Sequence, residues 1–205
     1  MMKVLLLNGS RREKGCTYTA LTEVAAALNS RGIGTEVIHA VPTEDTVASV
    51  AEKLKEADGL VIGSPVYWAS PSGEMVLFLD KLSAAGGAYL KHKPAAAVAS
   101  AAGGAYLKHK PAAAVASARR AGTTATLDVL LKYLEYHQTL IVSSNYWNMV
   151  HGNSPEEVKQ DAEGLQIMHV LGANMAWLLK CLEAGRKAGI EAPETPPKVF
   201  TNFIR

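Results

Sequence analysis

Apolar residues along this chain alternate between short continuous runs and longer stretches in which they recur every three or four positions. Residues 4–7, Val-Leu-Leu-Leu, form one such run and stop at Asn8-Gly9. A run of that length closed by a turn dipeptide predicts a strand buried on both faces. Over residues 17–29, Ala20, Leu21, Val24, Ala25 and Leu28 make the stripe of an amphipathic helix, ended by Gly32. The same reading predicts a strand over 35–38, a helix over 47–57, a strand over 59–62 and a helix over 73–82. It continues with a strand at 95–98 or in a later copy of that segment, a helix over 123–136 and a strand over 140–142. A long helix over 161–182 turns Leu165, Met168, Leu171, Met175, Leu178 and Leu182 inward.

Five strands alternating with five helices predict one doubly wound α/β domain over residues 1–205, with a parallel sheet covered on both faces. Right-handed crossovers place successive helices on alternate sides of such a sheet. Beyond Gly189, Pro193, Pro196 and Pro197 exclude a helix. The apolar end, Val199-Phe200 and Phe203-Ile204, is expected to pack on the body or on a second subunit.

One segment breaks the simple pattern. Residues 84–100 read AAGGAYLKHKPAAAVAS, and residues 101–117 repeat them without a substitution. Two copies do not make a solenoid, which needs about three, so this is a tandem duplication, recent or engineered, inside an ordinary domain. A five-stranded sheet needs one copy as its fourth strand. The second is favoured, because Ala118-Arg119-Arg120-Ala121-Gly122 then follows the strand directly. The extra residues lengthen the connection at the opposite edge, where a doubling of loop length costs only about 0.6 kcal/mol. The identical copies leave two registers in competition.

Composition narrows the classes. Hydrophobic residues make up 48% and charged residues 20% of the chain, and the formal net charge is +2. That charge gives no footprint for nucleic acid or an anionic membrane surface. The first apolar run is too short for a signal peptide or a membrane span. With only Cys16 and Cys181, a reduced, cytoplasmic protein is expected. Two cysteines supply neither a four-cysteine iron–sulfur cluster nor a structural zinc.

Ligands of doubly wound sheets sit at the C-terminal ends of the strands, and three loops leave such ends. In Asn8-Gly9-Ser10-Arg11-Arg12-Glu13-Lys14-Gly15-Cys16-Thr17, small residues and hydroxyls precede a helix N-terminus that favours an anion. Arg12 is placed to neutralise a phosphate. Neither a Walker lysine nor the Gly-x-Gly-x-x-Gly pattern is present, which points to a phosphomonoester. A plain N-cap by Ser10 or Thr17 is the competing reading. Gly63-Ser64-Pro65-Val66-Tyr67-Trp68-Ala69-Ser70 offers a flat aromatic surface suited to a planar heterocycle, or else a cover for the core edge. The third loop, residues 117–122, carries the paired arginines.

Together NGSRREKGCT, GSPVYWASPSGEMVLFLDKL and ASARRAGTT resemble the NADPH-dependent FMN reductase family, a branch of the flavodoxin-like proteins. The likeness extends to SSNYWNMVHG and to DAEGL, and so spans nearly the whole chain. It implies the flavodoxin-like strand order 2-1-3-4-5. It also implies an FMN phosphate on Ser10, Arg12, Cys16 and Thr17, with Cys16 standing where the family often has Asn. The ring would lie against Pro65, Val66, Tyr67 and Trp68, with its pyrimidine edge near Ala118, Arg119 and Gly122. Cys16 is then a backbone contact rather than a redox thiol.

A guanidinium near that edge would stabilise the negative charge of a reduced flavin, whereas on an isolated loop Arg119 and Arg120 would simply be solvated. His151 is a possible proton donor to a quinone and equally a surface histidine. The activity implied is electron transfer from NAD(P)H through FMN to a small acceptor such as a quinone or flavin. The likeness also implies a homodimer or homotetramer. A flavodoxin-type electron carrier and a duplication variant with impaired FMN binding are the alternatives.

Overall fold

The computed structural model describes residues 2–85, 107–194, 196 and 199. Strand β1 (Lys3–Asn8) is followed by helix α1 (Cys16–Asn29), β2 (Gly34–His39), α2 (Glu44–Glu56) and β3 (Gly59–Tyr67). A two-residue strand β4 (Ser70–Pro71) precedes α3 (Gly73–Ala85), and β5 (Pro111–Ala118) precedes α4 (Thr123–Tyr136). The chain ends through β6 (Leu140–Ile141), β7 (Met149–His151), α5 (Pro155–Val158) and α6 (Ala162–Lys187).

The strands lie in the order β2-β1-β3-β5-β6, all parallel. This is the predicted doubly wound order once β5 is counted as the fourth strand. Residues alternate between the two faces as a strand requires. Leu5, Leu7, Leu60, Ile62, Ala112 and Ala114 join one core with α2, α3 and α4. Val4, Leu6, Val61, Ala113 and Val115 join the other with α1 and α6. Apolar runs rather than alternating patterns follow directly from burial on both sides.

Helix α6 has the length and apolar character of a membrane span. Its inner face is nevertheless occupied: Ile167, Met168, Leu171, Met175, Ala176 and Leu179 are buried in the second core. Leu165 and Leu178, expected inward, are only partly buried, so the buried stripe runs slightly round the helix from the predicted one. Gly172 lets the two helices meet, since a Cβ there would stand 2.6 Å from the Cβ of Ala27.

The second copy of the repeat supplies β5. Every residue of Pro111–Ala118 is buried, in register from Leu60↔Ala112 to Pro65↔Ser117. Its approach is anchored by buried Leu107, by the Lys110 ammonium donating to the Leu54 carbonyl at 2.5 Å, and by the His109 amide donating to Gln138. Residues 86–100 of the first copy lie outside the described residues.

The structure departs from the sequence reading at three places. The edge strand predicted over 140–142 is split: the Val142 amide still donates to Ala112, the chain leaves the sheet, and β7 rejoins it beside Ala116–Ala118. The polar run Ser143-Ser144-Asn145 marks the exit, but three-residue β7 carries too little periodicity to be read. A hairpin joins β3 to β4 through Trp68 and Ala69, both at positive φ (54° and 56°). Such turns ordinarily use Asn or Gly, so this one has no sequence signal. In the tail, Val199 is exposed and so does not pack on the body, the first of the two expected placements; Phe200, Phe203 and Ile204 lie outside the described residues.

Removing residues 84–100 restores the same sequence at the end of α3, because Ala101-Ala102 replace Ala84-Ala85. That deletion is expected to keep the fold and raise stability by about 1 kcal/mol through a shorter closure. Chemical denaturation with near-UV circular dichroism checks it, and a loss of tertiary signal would show that the first copy contributes to the sheet.

His137, which ends α4, is buried. Its Nε2 lies 3.0 Å from the Ser83 hydroxyl, its Nδ1 has no partner, and burial lowers its pKa below 6.5. The unfolded chain therefore binds a proton that the native chain refuses. Stability should fall as pH drops below about 6.5, and level off only below the native value. His137→Gln should flatten that part of the profile in urea unfolding between pH 4 and 8.

Candidate functional site

The C-terminal ends of β1, β3, β5 and β7 converge on a cavity of about 250 Å³. Asn8, the last residue of β1, organises its floor. Its buried side chain donates to the Glu13 carbonyl at 2.8 Å and accepts from the Ser10 amide at 3.1 Å. Gly9 is fixed on both sides, its N–H donating to Gly63 and its carbonyl accepting from the Ser72 hydroxyl at 2.6 Å. A ring nitrogen of His39 meets the Ser10 carbonyl at 2.7 Å. These bonds fold residues 8–15 into a rigid loop and deliver the start of α1 to the cavity.

Gly15 is the N-cap of α1 and contributes no side-chain hydrogen bond, and the first turn contains no acidic residue. The first N–H groups of a helix have no partner within it, so here they face the cavity with the positive end of the helix dipole. Neither hydroxyl considered as a cap performs that task. Ser10 accepts from the Arg12 amide at 3.2 Å, and Thr17 shares a buried hydrogen bond of 2.8 Å with Ser117. The Thr17–Ser117 bond joins the first loop to the end of β5.

Among the described residues Arg12 and Arg119 are the charged side chains of the lining, and the Glu157 carboxylate lies just behind it, accepting from the Asn153 amide at 2.6 Å. Arg11, next to Arg12, turns away to pair with Glu74 and lies 6.0 Å from the centre of the Tyr67 ring. Cys16 touches the Gly152 carbonyl at 3.6 Å. Burial pushes its thiol above the ordinary value, against the opposing pull of its own backbone N–H and of Arg12. A protonated thiol is a poor nucleophile.

The structure brings Ser10, Arg12, Cys16 and Thr17 together with Pro65, Val66 and Tyr67, and with Ala118 and Arg119. Three predicted positions are elsewhere. Trp68 sits at the hairpin tip, fully exposed, because its positive φ directs the turn into solvent. Gly122 caps α4 at φ 91° and supports the hairpin from below; a Cβ would lie 2.8 Å from Ala69 Cα and from Val66 Cγ1. His151 lies outside the lining, its amide bonded to Asp161 at 2.6 Å and its Nδ1 3.9 Å from the same oxygen. Asp161 also caps α6 through the Gly164 amide at 2.9 Å, which ties β7 to that helix.

Four lining residues were not singled out from the sequence: Gly15, Ser117, Gly152 and Asn153. Ser117 was legible as the last small polar residue before the paired arginines. Gly152 and Asn153 were hidden because they follow the unrecognised strand β7.

Comparison with known proteins bears on the family and the fold. Residues 2–106 match the family described as NADPH-dependent FMN reductase. The chain is 27% identical over 207 residues to an iron-sulfur flavoprotein of Methanocaldococcus jannaschii, covering 89% of this chain and 100% of that one. Among solved structures, a flavodoxin, WrbA-like protein from Agrobacterium tumefaciens superposes with a TM-score of 0.64 at 19% identity, over 88% of this chain and 99% of that one. RosB with bound 8-demethyl-8-formylriboflavin-5′-phosphate superposes with a TM-score of 0.66 at 19% identity, over 100% of this chain and 93% of that one. These structures establish a flavodoxin-like fold. The cluster named in the archaeal relative finds no ligand set in this sequence, which has two cysteines against the four such a cluster takes.

Gly122→Ala forces a side chain into the seat of the hairpin at a positive φ. Unfolding free energy should drop by about 1–3 kcal/mol, measured by urea denaturation; an unchanged midpoint would remove Gly122 as the support of Val66 and Ala69.

Proposed function

The chain belongs to the NADPH-dependent FMN reductase family of flavin-dependent oxidoreductases, and from that premise we propose that its cavity binds FMN and passes electrons from NAD(P)H to a small acceptor such as a quinone or a free flavin. The observation that carries this reading is the start of α1, without a side-chain cap, opening between Ser10, Arg12 and Ser117 in a cavity whose charged lining residues, among those described, are Arg12 and Arg119. The donor set suits a phosphate: helix N–H groups, a hydroxyl and a guanidinium. Pro65, Val66 and Tyr67 provide the wall for a planar ring. Tyr67 is 40% exposed, so its ring has free surface for stacking.

When bound, FMN supplies the hydride-accepting centre, so the protein's share is binding, orientation and charge. Arg12 holds the phosphate end. Ala118 would leave room for the ring at the end of β5, and Arg119 would supply a cation to it there. The Thr17–Ser117 bond keeps the phosphate loop and the β5 end at a fixed separation. Cys16 contributes its backbone at the helix start, while its protonated thiol stays outside the chemistry. Asn153 and Gly152 close the side of the cavity nearest α5.

Calorimetric titration with FMN should show saturable binding, and riboflavin, which lacks the phosphate, should bind far more weakly. A hydrogen bond to a charged group contributes about 1.5–3 kcal/mol. Arg12→Ala should therefore weaken FMN about 10–100-fold and leave riboflavin unchanged. Equal affinities for FMN and riboflavin would refute the phosphate seat. Steady NADPH oxidation with a quinone by the FMN-loaded protein would support the oxidoreductase reading; its absence would favour a carrier.

A further inference from the structure

Beyond the end of β2 a side chain makes the bond for which the ladder has run out of main-chain donors. Asn8, paired with His39, turns its carbonyl toward β2 and accepts from the Ala40 amide at 2.9 Å. The Gly9 N–H of the same peptide donates to Gly63 of β3 at 2.8 Å. A trans peptide holds its C=O and N–H on opposite edges of one plane, so a bond to β2 also fixes where the N–H points. Two residues on, the Ser10 carbonyl turns toward β2 again. The donor that a parallel ladder would offer it is residue 42, which is Pro42 and has no N–H.

The His39 ring takes that place. Its Nε2 lies 2.7 Å from the Ser10 carbonyl, and because a carbonyl only accepts, Nε2 carries the proton. His39 is half-buried and Ser10 is buried. The rest of Ser10 is committed too: its N–H donates to Asn8 Oδ1 at 3.1 Å and its Oγ accepts from the Arg12 amide at 3.2 Å. What Ser10 retains to give is its hydroxyl proton, and Ser10 lines the cavity. By the same peptide geometry, a carbonyl turned to β2 turns the Arg11 N–H toward β3. On that side Pro65, Val66 and Tyr67 wall the cavity.

We infer that His39 is a positioning residue for the phosphate of FMN: standing in for the N–H that Pro42 lacks, its ring turns the Ser10–Arg11 peptide so that the Arg11 N–H and the Ser10 hydroxyl face the phosphate. The inference rests on the flavin reading of this cavity. His39 is outside the lining and acts through the Ser10 carbonyl. Without that bond the peptide is free to rotate, and a carbonyl oxygen turned to the cavity would repel an anion. The change falls on the phosphate end alone, which separates His39 from residues whose loss loosens the whole cavity.

Calorimetric titration of the full chain with FMN and with riboflavin tests it. His39→Leu should weaken FMN about 2–10-fold, the range of one neutral hydrogen bond, and leave riboflavin unchanged. His39→Gln, whose side-chain N–H reaches the place of Nε2, should restore the preference for FMN. An undiminished ratio of FMN to riboflavin affinity in His39→Leu, or equal losses for both ligands, would overturn the role of His39. Should His39→Leu not fold, amide exchange followed by NMR on the unaltered protein decides. FMN should slow exchange of the Arg11 N–H and riboflavin should not; an Arg11 rate unchanged by bound FMN would overturn the inference. Titration of the unaltered protein in parallel keeps two failures apart. No preference for FMN over riboflavin there removes the phosphate seat and His39 with it, whereas a preference that survives His39→Leu removes His39 alone.

Discussion

Burial of β1, β3 and β5 on both faces is the constraint from which the rest follows. Leu5 and Leu7 commit one side of β1 to α2, α3 and α4, while Val4 and Leu6 commit the other to α1 and α6. No side chain in the middle of these strands is then available for chemistry, and their backbone groups are consumed by the ladders. What remains open is the row of strand ends, where backbone leaves the sheet and helices begin. Asn8, Ser64 and Ser117, buried polar residues at or near those ends, mark the boundary between the apolar layer and the cavity.

At that boundary the start of α1 and Arg12 present hydrogen-bond donors to the cavity. Asn8 shapes the loop, Gly15 starts α1 without a side chain to satisfy its N–H groups, and Thr17 is bonded to Ser117 instead of its own helix. Arg11 is drawn off by Glu74, which leaves Arg12 to face the cavity. The hairpin beyond β3 is held in a strained form, with two consecutive non-glycine residues at positive φ. Strain of this kind persists only where the surroundings over-determine it, and Gly122 provides the close seat. The hairpin thereby keeps Val66 and Tyr67 on the cavity and leaves Trp68 in solvent.

The duplicated segment shows how little the sheet discriminates between identical strands. PAAAVASA occurs at residues 94–101 as well as at 111–118, and the strand described is the second copy. The second occupies the slot because Arg119–Gly122 then bridge β5 and α4 directly. The first would place 17 further residues between the strand and the arginine that lines the cavity. Identical sequence leaves no local preference between the copies, so chain connectivity at the end that carries Arg119 favours the second.

Much of this was legible beforehand. The strand order and most of the lining residues of the α1 cavity came from the family resemblance carried by three loops, whereas the central strands and all four long helices through α4 follow from apolar runs and helical stripes. Those features are local, because burial on both faces forces a continuous apolar run and a helix stripe repeats within one segment. The positions of Trp68, Gly122 and His151 were decided by contacts between distant segments: a hairpin turn without its usual residues, a capping glycine pressed on Ala69, and the Asp161 carboxylate holding the end of β7. The split edge strand belongs with them, since three residues of β7 pair with β5 only because α6 and Asp161 hold them there. Sequence alone determined which segments are buried and which loops leave the strand ends; the tertiary structure decided which side chains reach a common cavity, because that depends on separations between strands that no local pattern encodes.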